Sequence, residues 1–374
     1  MPLAPAVETL TCFSCARRQD PHQLSTVCEA CGLPLRVDLS LPQGPPGDVI
    51  DRAISSLWRY RAVLPIALQD AVTLAEGWTP LIAVDARTWI KDEARNPTGS
   101  FKARGMTMAV SAAAVLGAAR LLAPSAGNAA SALAAYGAVA GIPVLVAMPA
   151  DTPEAFVAEC RHFGAEVQLV EGTIADAGRW LARHRGERDF DVSTLKEPYR
   201  VEGKKTMGYE LFEQFDGRLP DVVVYPTGGG TGLVGMWKAW DEMERMGWIG
   251  PERPRLVSVQ AAGCAPIVRA FESGAEVTET WADPHTTAYG LRVPGPIGGF
   301  LCLRAIRATR GTAIAIEESE LHLQAGALAA ASGIDVCPEG GAAWAAARRL
   351  RASGWITDHD RVVVFNTGTG LKYR

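Results

Sequence analysis

What the 374-residue chain lacks narrows it first. No apolar run approaches the roughly 20 residues needed to cross a bilayer, so no membrane partner is expected. Neither sign of charge dominates. The formal net charge is −4, which argues against a broad nucleic-acid-binding face, although a local basic patch would still fit. The start, Met1-Pro-Leu-Ala-Pro5, has no basic segment leading into a long apolar one. No secretory signal is therefore expected, and a cytoplasmic location is. There is no repeat of fixed period and no low-complexity tract beyond an alanine bias. Cysteine is scarce after residue 31: Cys160, Cys264, Cys302 and Cys337 stand singly in apolar or small-residue surroundings. They read as small buried hydrophobes rather than as a disulfide framework.

What is present is a globular composition, 48% hydrophobic, in a chain long enough for two or three domains and a large core. Residues 1–40 are polar and carry four cysteines, and Leu41-Pro-Gln-Gly-Pro-Pro-Gly47 reads as a linker. The rest alternates short β-rich runs with alanine-rich helical stretches. Arg120–Ala123, Pro143–Met148, Asp221–Tyr225, Arg255–Gln260 and Arg361–Phe365 read as strands. Ala129–Ala140, Glu154–Phe163 and Leu233–Arg245 read as helices. The strand runs are continuously apolar rather than alternating, which predicts strands buried on both faces. Strand–helix alternation then predicts an α/β fold with parallel sheets flanked by helices, in which ligands bind beyond the carboxyl ends of strands.

Two segments sit where such a ligand would. Pro226-Thr-Gly-Gly-Gly-Thr-Gly232 joins the strand Asp221–Tyr225 to the helix from Leu233. Glycines let successive amides converge on one anion, and a helix N-terminus adds a positive dipole end. No Lys-Ser or Lys-Thr pair follows, so this is not a Walker loop, and the spacing is not that of a dinucleotide fold. A structural turn is the plainer alternative. The second segment is Asn96-Pro-Thr-Gly-Ser-Phe-Lys-Ala-Arg-Gly105. Its first four residues read as a turn, and Ser100 as the cap of a helix beginning near Phe101. Lys102 would then lie in the first helical turn, where the dipole disfavours a cation and favours the neutral amine needed for Schiff-base chemistry. Alone, Lys102 would read as a surface lysine. Asp92 and Glu93 just before it read as surface or hinge polar groups, and the tryptophans, Trp237, Trp240, Trp248, Trp344 and Trp355, as packing residues.

Together these segments resemble a known family. The run Asn96–Gly105 is similar to the cofactor-lysine motif of fold-type II pyridoxal-phosphate (PLP) enzymes, the tryptophan-synthase-β superfamily, and most of all to that of threonine synthases. The resemblance implies that Lys102 carries PLP as a Schiff base. Ser125-Ala-Gly-Asn-Ala129 resembles the family's asparagine loop. Asn128 would bond the pyridoxal 3′-oxygen, and Ser125, Ala126, Gly127, Asn128 and Ala129 would hold the substrate carboxylate. Thr227, Gly228, Gly229, Gly230, Thr231 and Gly232 resemble the loop around the cofactor phosphate. Thr367, in Asn366-Thr-Gly-Thr-Gly-Leu-Lys372, resembles the hydroxyl residue facing the pyridine nitrogen. A neutral hydroxyl cannot hold a proton on that nitrogen as an aspartate would, which steers such sites toward elimination and replacement.

The resemblance also implies a reaction: O-phosphohomoserine and water to threonine and phosphate. Glu197-Pro-Tyr-Arg-Val-Glu-Gly-Lys-Lys-Thr206 is similar to a threonine-synthase run in which the arginine, here Arg200, meets the substrate phosphate. The chain departs from it at Glu197, where the family has asparagine, and a carboxylate pointing inward would repel a phosphate. Ala288–Pro294 and Pro338–Ala342 look closer to hydroxy-amino-acid dehydratases. A cysteate-synthase-like β-replacement, a threonine/serine dehydratase-type ammonia-lyase and a catalytically silent PLP-binding protein stand as alternatives. An amino acid is the expected small-molecule substrate and a homodimer the expected assembly.

Cys12-x-x-Cys15 and Cys28-x-x-Cys31 can place four thiolates tetrahedrally around a structural zinc. A redox pair or metal-free thiols are the alternatives. Many threonine synthases carry a similar segment. Such a ribbon could pack on the main body, hold a dimer contact or bind a partner. The expected organisation is a zinc ribbon over residues 1–40, a large PLP-binding lobe over 48–101 and 203–374, and a small mobile lobe over 102–202, with PLP in the cleft between the two lobes.

Overall fold

β-Branched runs form the strands and alanine-rich runs the helices, as the alternation predicts. The structure, a computed structural model, describes residues 3, 4 and 6–374. Met1, Pro2 and Pro5 of the N-terminal stretch read above lie outside the described residues. The chain divides into two compact units.

One unit runs to Trp78 and takes in Asn96–Thr98 and Lys102–Thr206. Its parallel sheet has the strand order Glu166–Val170, Val144–Pro149, Arg120–Pro124, Asp189–Asp191. Val144–Pro149 is buried at every residue, as a central parallel strand must be. Helix Lys102–Val115 packs against helix Asn128–Ala140, both built largely of small residues. It also meets the helix Tyr199–Gln214, where a Cβ on Gly203 would overlap the Arg104 carbonyl. Only glycine permits that approach. The N-terminal ribbon belongs to the same unit. Its antiparallel strands lie in the order Arg18–Gln19, Val7–Cys12, Leu35–Leu39. Leu10, Leu35, Val37 and Leu39 join one apolar cluster with Ala103, Met106, Phe190 and Tyr199. The ribbon therefore packs on the main body.

The other unit comprises Thr79–Arg95, Gly99–Phe101 and Met207–Arg374. Its sheet runs Thr312–Ile316, Arg255–Ala261, Val222–Pro226, Val362–Asn366, Thr88–Asp92, Leu81–Ala83. All neighbours pair in parallel except the antiparallel edge strand Leu81–Ala83. Strands and helices read from the sequence recur within one or two residues of their expected ends. Thr88–Asp92 was not among them, and Asp92 reads there as a surface or hinge polar group. The neighbouring Lys91 is fully buried, its ammonium 2.7 Å from Glu210 Oε2 and donating to the Thr79 carbonyl and to Gln214 Oε1. Paired in this way, a charge can occupy an interior strand.

Asp92 and Glu93 are likewise buried, not surface groups. Asp92 Oδ1 accepts from Asn366 Nδ2 at 2.9 Å, and Glu93 Oε1 from the Thr79 hydroxyl at 2.7 Å. Trp240 is fully buried, and Trp344 and Trp355 pack on the core of this unit. Among the described residues, no helix is long and apolar enough to cross a membrane.

Candidate active site

The glycine run lies at the carboxyl end of the strand Val222–Pro226 and leads into the helix Thr231–Arg245. Gly230 caps that helix at φ +85° without any side-chain cap bond, so the first-turn amides are left for an external anion. A Cβ on Gly228 would overlap the Gly290 carbonyl, and one on Gly230 would overlap Cys302 Sγ. Bare backbone is therefore obligatory here, and the cradle fits a phosphate. Thr227 is buried with its hydroxyl donating to the Tyr225 carbonyl at 3.0 Å. Its own carbonyl accepts from Gln260 Nε2 at 3.1 Å, which pins the start of the loop. Thr231 is the first residue of the helix, and buried.

Thr367 follows the central strand Val362–Asn366 and is buried. Its carbonyl accepts from the Phe101 amide at 3.0 Å, the Thr369 amide donates to the Gly99 carbonyl at 2.8 Å, and Ser100 bridges to Gly368. The segment just before Lys102 is thus strapped to the Thr367 turn. Asn366 fixes that turn from behind. Its amide donates to Asp92 and the Asp335 carbonyl and accepts from the Cys337 amide at 3.2 Å. Cys337 is more than a buried hydrophobe. Its sulfur lies 3.9 Å from Thr367 Oγ1 and accepts from the Gly340 amide, capping the helix Pro338–Ala352. Burial pushes this thiol well above its ordinary range. Sequence reasoning missed that role because only the fold brings residue 337 beside 367.

In the other unit, Lys102 is the first residue of its helix and half-buried. The expected cap is not made: Ser100 is fully buried and its hydroxyl forms no hydrogen bond. The loop Ser125–Ala129 leads into the helix Asn128–Ala140. The Ser125 hydroxyl accepts from the Ala130 amide at 3.2 Å, which tightens the loop, while residues 126–129 stay partly accessible. Their amides and the helix dipole can hold a carboxylate.

Arg200 lies in the first turn of the helix Tyr199–Gln214 and is 1% exposed. Its Nη1 donates to the Val192 carbonyl at 2.7 Å and reaches Thr194 Oγ1 at 3.4 Å. Nε and Nη2 are buried and make no hydrogen bond. Buried guanidinium donors without partners are costly, and their presence points to a ligand. Leu195, in the turn before the helix, is held at φ +56° while buried, a strain typical of functional turns. Glu197 does not point away into solvent. Its carboxyl accepts from the Tyr199 amide at 2.7 Å and the Arg200 amide at 3.0 Å. Burial, offset in part by Arg200 and these amides, raises it to about 8.

The four ribbon thiols converge, all within 4.8 Å of one another, with Cys12–Cys31 at 3.5 Å and Cys15–Cys28 at 3.6 Å. Gly32, at φ +70°, donates its amide to the Cys28 carbonyl and closes the second knuckle. This arrangement can hold a metal ion.

Comparison with known proteins agrees with this geometry. Residues 72–368 match the family model described as pyridoxal-phosphate dependent enzyme. A threonine synthase of Methanosarcina acetivorans is 33% identical, covering 97% of this chain and 92% of the relative. One of Methanocaldococcus jannaschii is 31% identical, covering 96% and 92%. A solved L-serine ammonia-lyase of Rhizomucor miehei superposes with TM-score 0.69 at 19% identity, covering 80% of this chain and 95% of that one, a likeness of fold. With a phosphate cradle, a lysine at a helix start and relatives of this extent, the chain belongs to the pyridoxal-phosphate dependent enzymes, as a lyase of the threonine synthase family.

Proposed function

We propose that this enzyme is a threonine synthase, converting O-phosphohomoserine and water to threonine and phosphate. The observation that carries the reading is Arg200, whose two unpartnered, fully buried donors suit a phosphate on the substrate. Two relatives named threonine synthase, matching nearly the whole chain, support it.

Bound PLP supplies an electron sink for negative charge developing beside the substrate's amino group. The chain's own residues do the rest. Lys102 Nζ holds the cofactor and then takes the proton from the substrate Cα as general base. Its place at a helix start favours the neutral amine. The amides of Gly228–Gly232, with Thr227 and Thr231, hold the cofactor phosphate. Asn128 holds the 3′-oxygen, and Thr367 faces the ring nitrogen with a hydroxyl that leaves it unprotonated. Ser125 to Ala129 hold the substrate carboxylate, and Arg200 with Thr194 holds the distal phosphate. Cys12, Cys15, Cys28 and Cys31 bind a structural zinc. Four sulfurs at about 2.3 Å from zinc stand about 3.8 Å apart, close to the spacing of these thiols. The enzyme acts in the cytoplasm as a homodimer on a small amino-acid substrate.

A second reading, a threonine/serine dehydratase-type ammonia-lyase, is favoured by Glu197, whose carboxyl sits beside Arg200 and would oppose a phosphate when ionised. Incubating the purified protein separately with O-phosphohomoserine, threonine and serine decides between them. Phosphate and threonine should appear from the first substrate. Keto acid from threonine or serine alone would reject the synthase.

A further inference from the structure

We propose that Glu197 is a specificity-determining residue: its carboxyl, seated on the amides of the helix Tyr199–Gln214 beside Arg200, admits an anion to the open Arg200 donors only when protonated. The inference rests on the reading of Arg200 as the seat of the substrate's anionic group, and deepens it.

The geometry is specific. The N-terminus of a sixteen-residue helix is a natural anion position, and here the chain fills it with its own side chain. Glu197 takes the amides of Tyr199 and Arg200. An incoming anion is left with Arg200 Nε and Nη2, which have no other partner. Both side chains are about 1% exposed, so water screens their interaction poorly. An ionised Glu197 neutralises Arg200 and repels a second anion. A neutral Glu197 still accepts both amides and removes one of the negative charges that oppose the guanidinium.

The surrounding groups favour the neutral form. Asp191, at the end of the strand Asp189–Asp191, adds a second negative charge near both residues. Tyr199 and Glu202 lie on the same helix, and Asp20 of the ribbon faces Tyr199. In the helix Lys102–Val115, Gly105 lies against Arg200. Arg200 favours the charged form, but burial outweighs it, raising the carboxyl to about 8. Below that value the site is open. Above it, each bound anion brings one proton from solvent onto Glu197.

The test uses the full-length, cofactor-loaded protein and inorganic phosphate as probe, by calorimetry in buffers of differing ionisation enthalpy. Glu197→Gln keeps an acceptor for the helix amides and removes the titration. The ratio of phosphate affinities, Glu197→Gln over wild type, should be near one at about pH 6.5 and about tenfold at about pH 9, one unit above the carboxyl. At the higher pH the wild type should take up close to one extra proton per phosphate relative to the variant. A ratio constant across this range, or equal proton uptake, overturns the proposal while leaving Arg200 as the anion seat. Arg200→Met should lose phosphate binding. If it binds phosphate as the wild type does, the assignment of Arg200 falls as well.

Discussion

Residues 197 and 102 show the two ways in which a single side chain acquires chemistry here. Lys102, proposed to carry the cofactor, would have it from its position at the start of a helix, which a sequence motif points to. Glu197 has it from burial, which a motif does not. In the unfolded chain Glu197 titrates near its ordinary value of 4.5, whereas in the fold burial raises it to about 8. The folded protein therefore holds a proton that the unfolded chain has lost. The stability tied to this proton is complete below the lower value and falls as pH climbs toward the higher one. Across that window the thermal midpoint of the wild type should decline more steeply than that of Glu197→Gln, and parallel profiles would contradict the burial argument. Asp92 and Glu93 carry the same lesson. They read as solvated because their partners, Asn366 and Thr79, are brought to them only by the sheet and by a loop.

At the scale of elements, the glycine loop was legible because its constraint is local: strand, bare backbone, helix. The reason Gly228 and Gly230 are obligatory was not legible. It lies in Cys302 and Gly290, far along the chain from the loop. Replacing Gly230 by alanine adds a Cβ at φ +85° against the Cys302 sulfur. The variant should bind PLP at least about tenfold more weakly, since left-handed backbone strain and overlap together cost more than about 1.4 kcal/mol. Cofactor titration checks this, and wild-type affinity would count against the cradle. The strand Thr88–Asp92 shows where pattern reading stops: its buried Lys91 is tolerated only because Glu210 comes within 2.7 Å. The ribbon was readable from cysteine spacing alone. Its packing became evident only when Leu10, Leu35 and Val37 joined the apolar cluster that contains Tyr199.

For the whole molecule, the sequence carried the alternation of strand and helix and the α/β class. It did not carry the interleaving by which Asn96–Thr98 and Gly99–Phe101 fall in different compact units. That division brings the strap from Phe101 to Thr367 into one unit and starts the lysine helix in the other. All the proposed chemistry requires that the cofactor be attached at Lys102. The most direct measurement is to load the protein with PLP, reduce it with borohydride and map the modified peptide by mass spectrometry. One cofactor per chain is expected, on the Lys102 ε-nitrogen, with label and visible absorbance both lost in Lys102→Ala. Label on another lysine, or none in a protein that has taken up the cofactor, would contradict it.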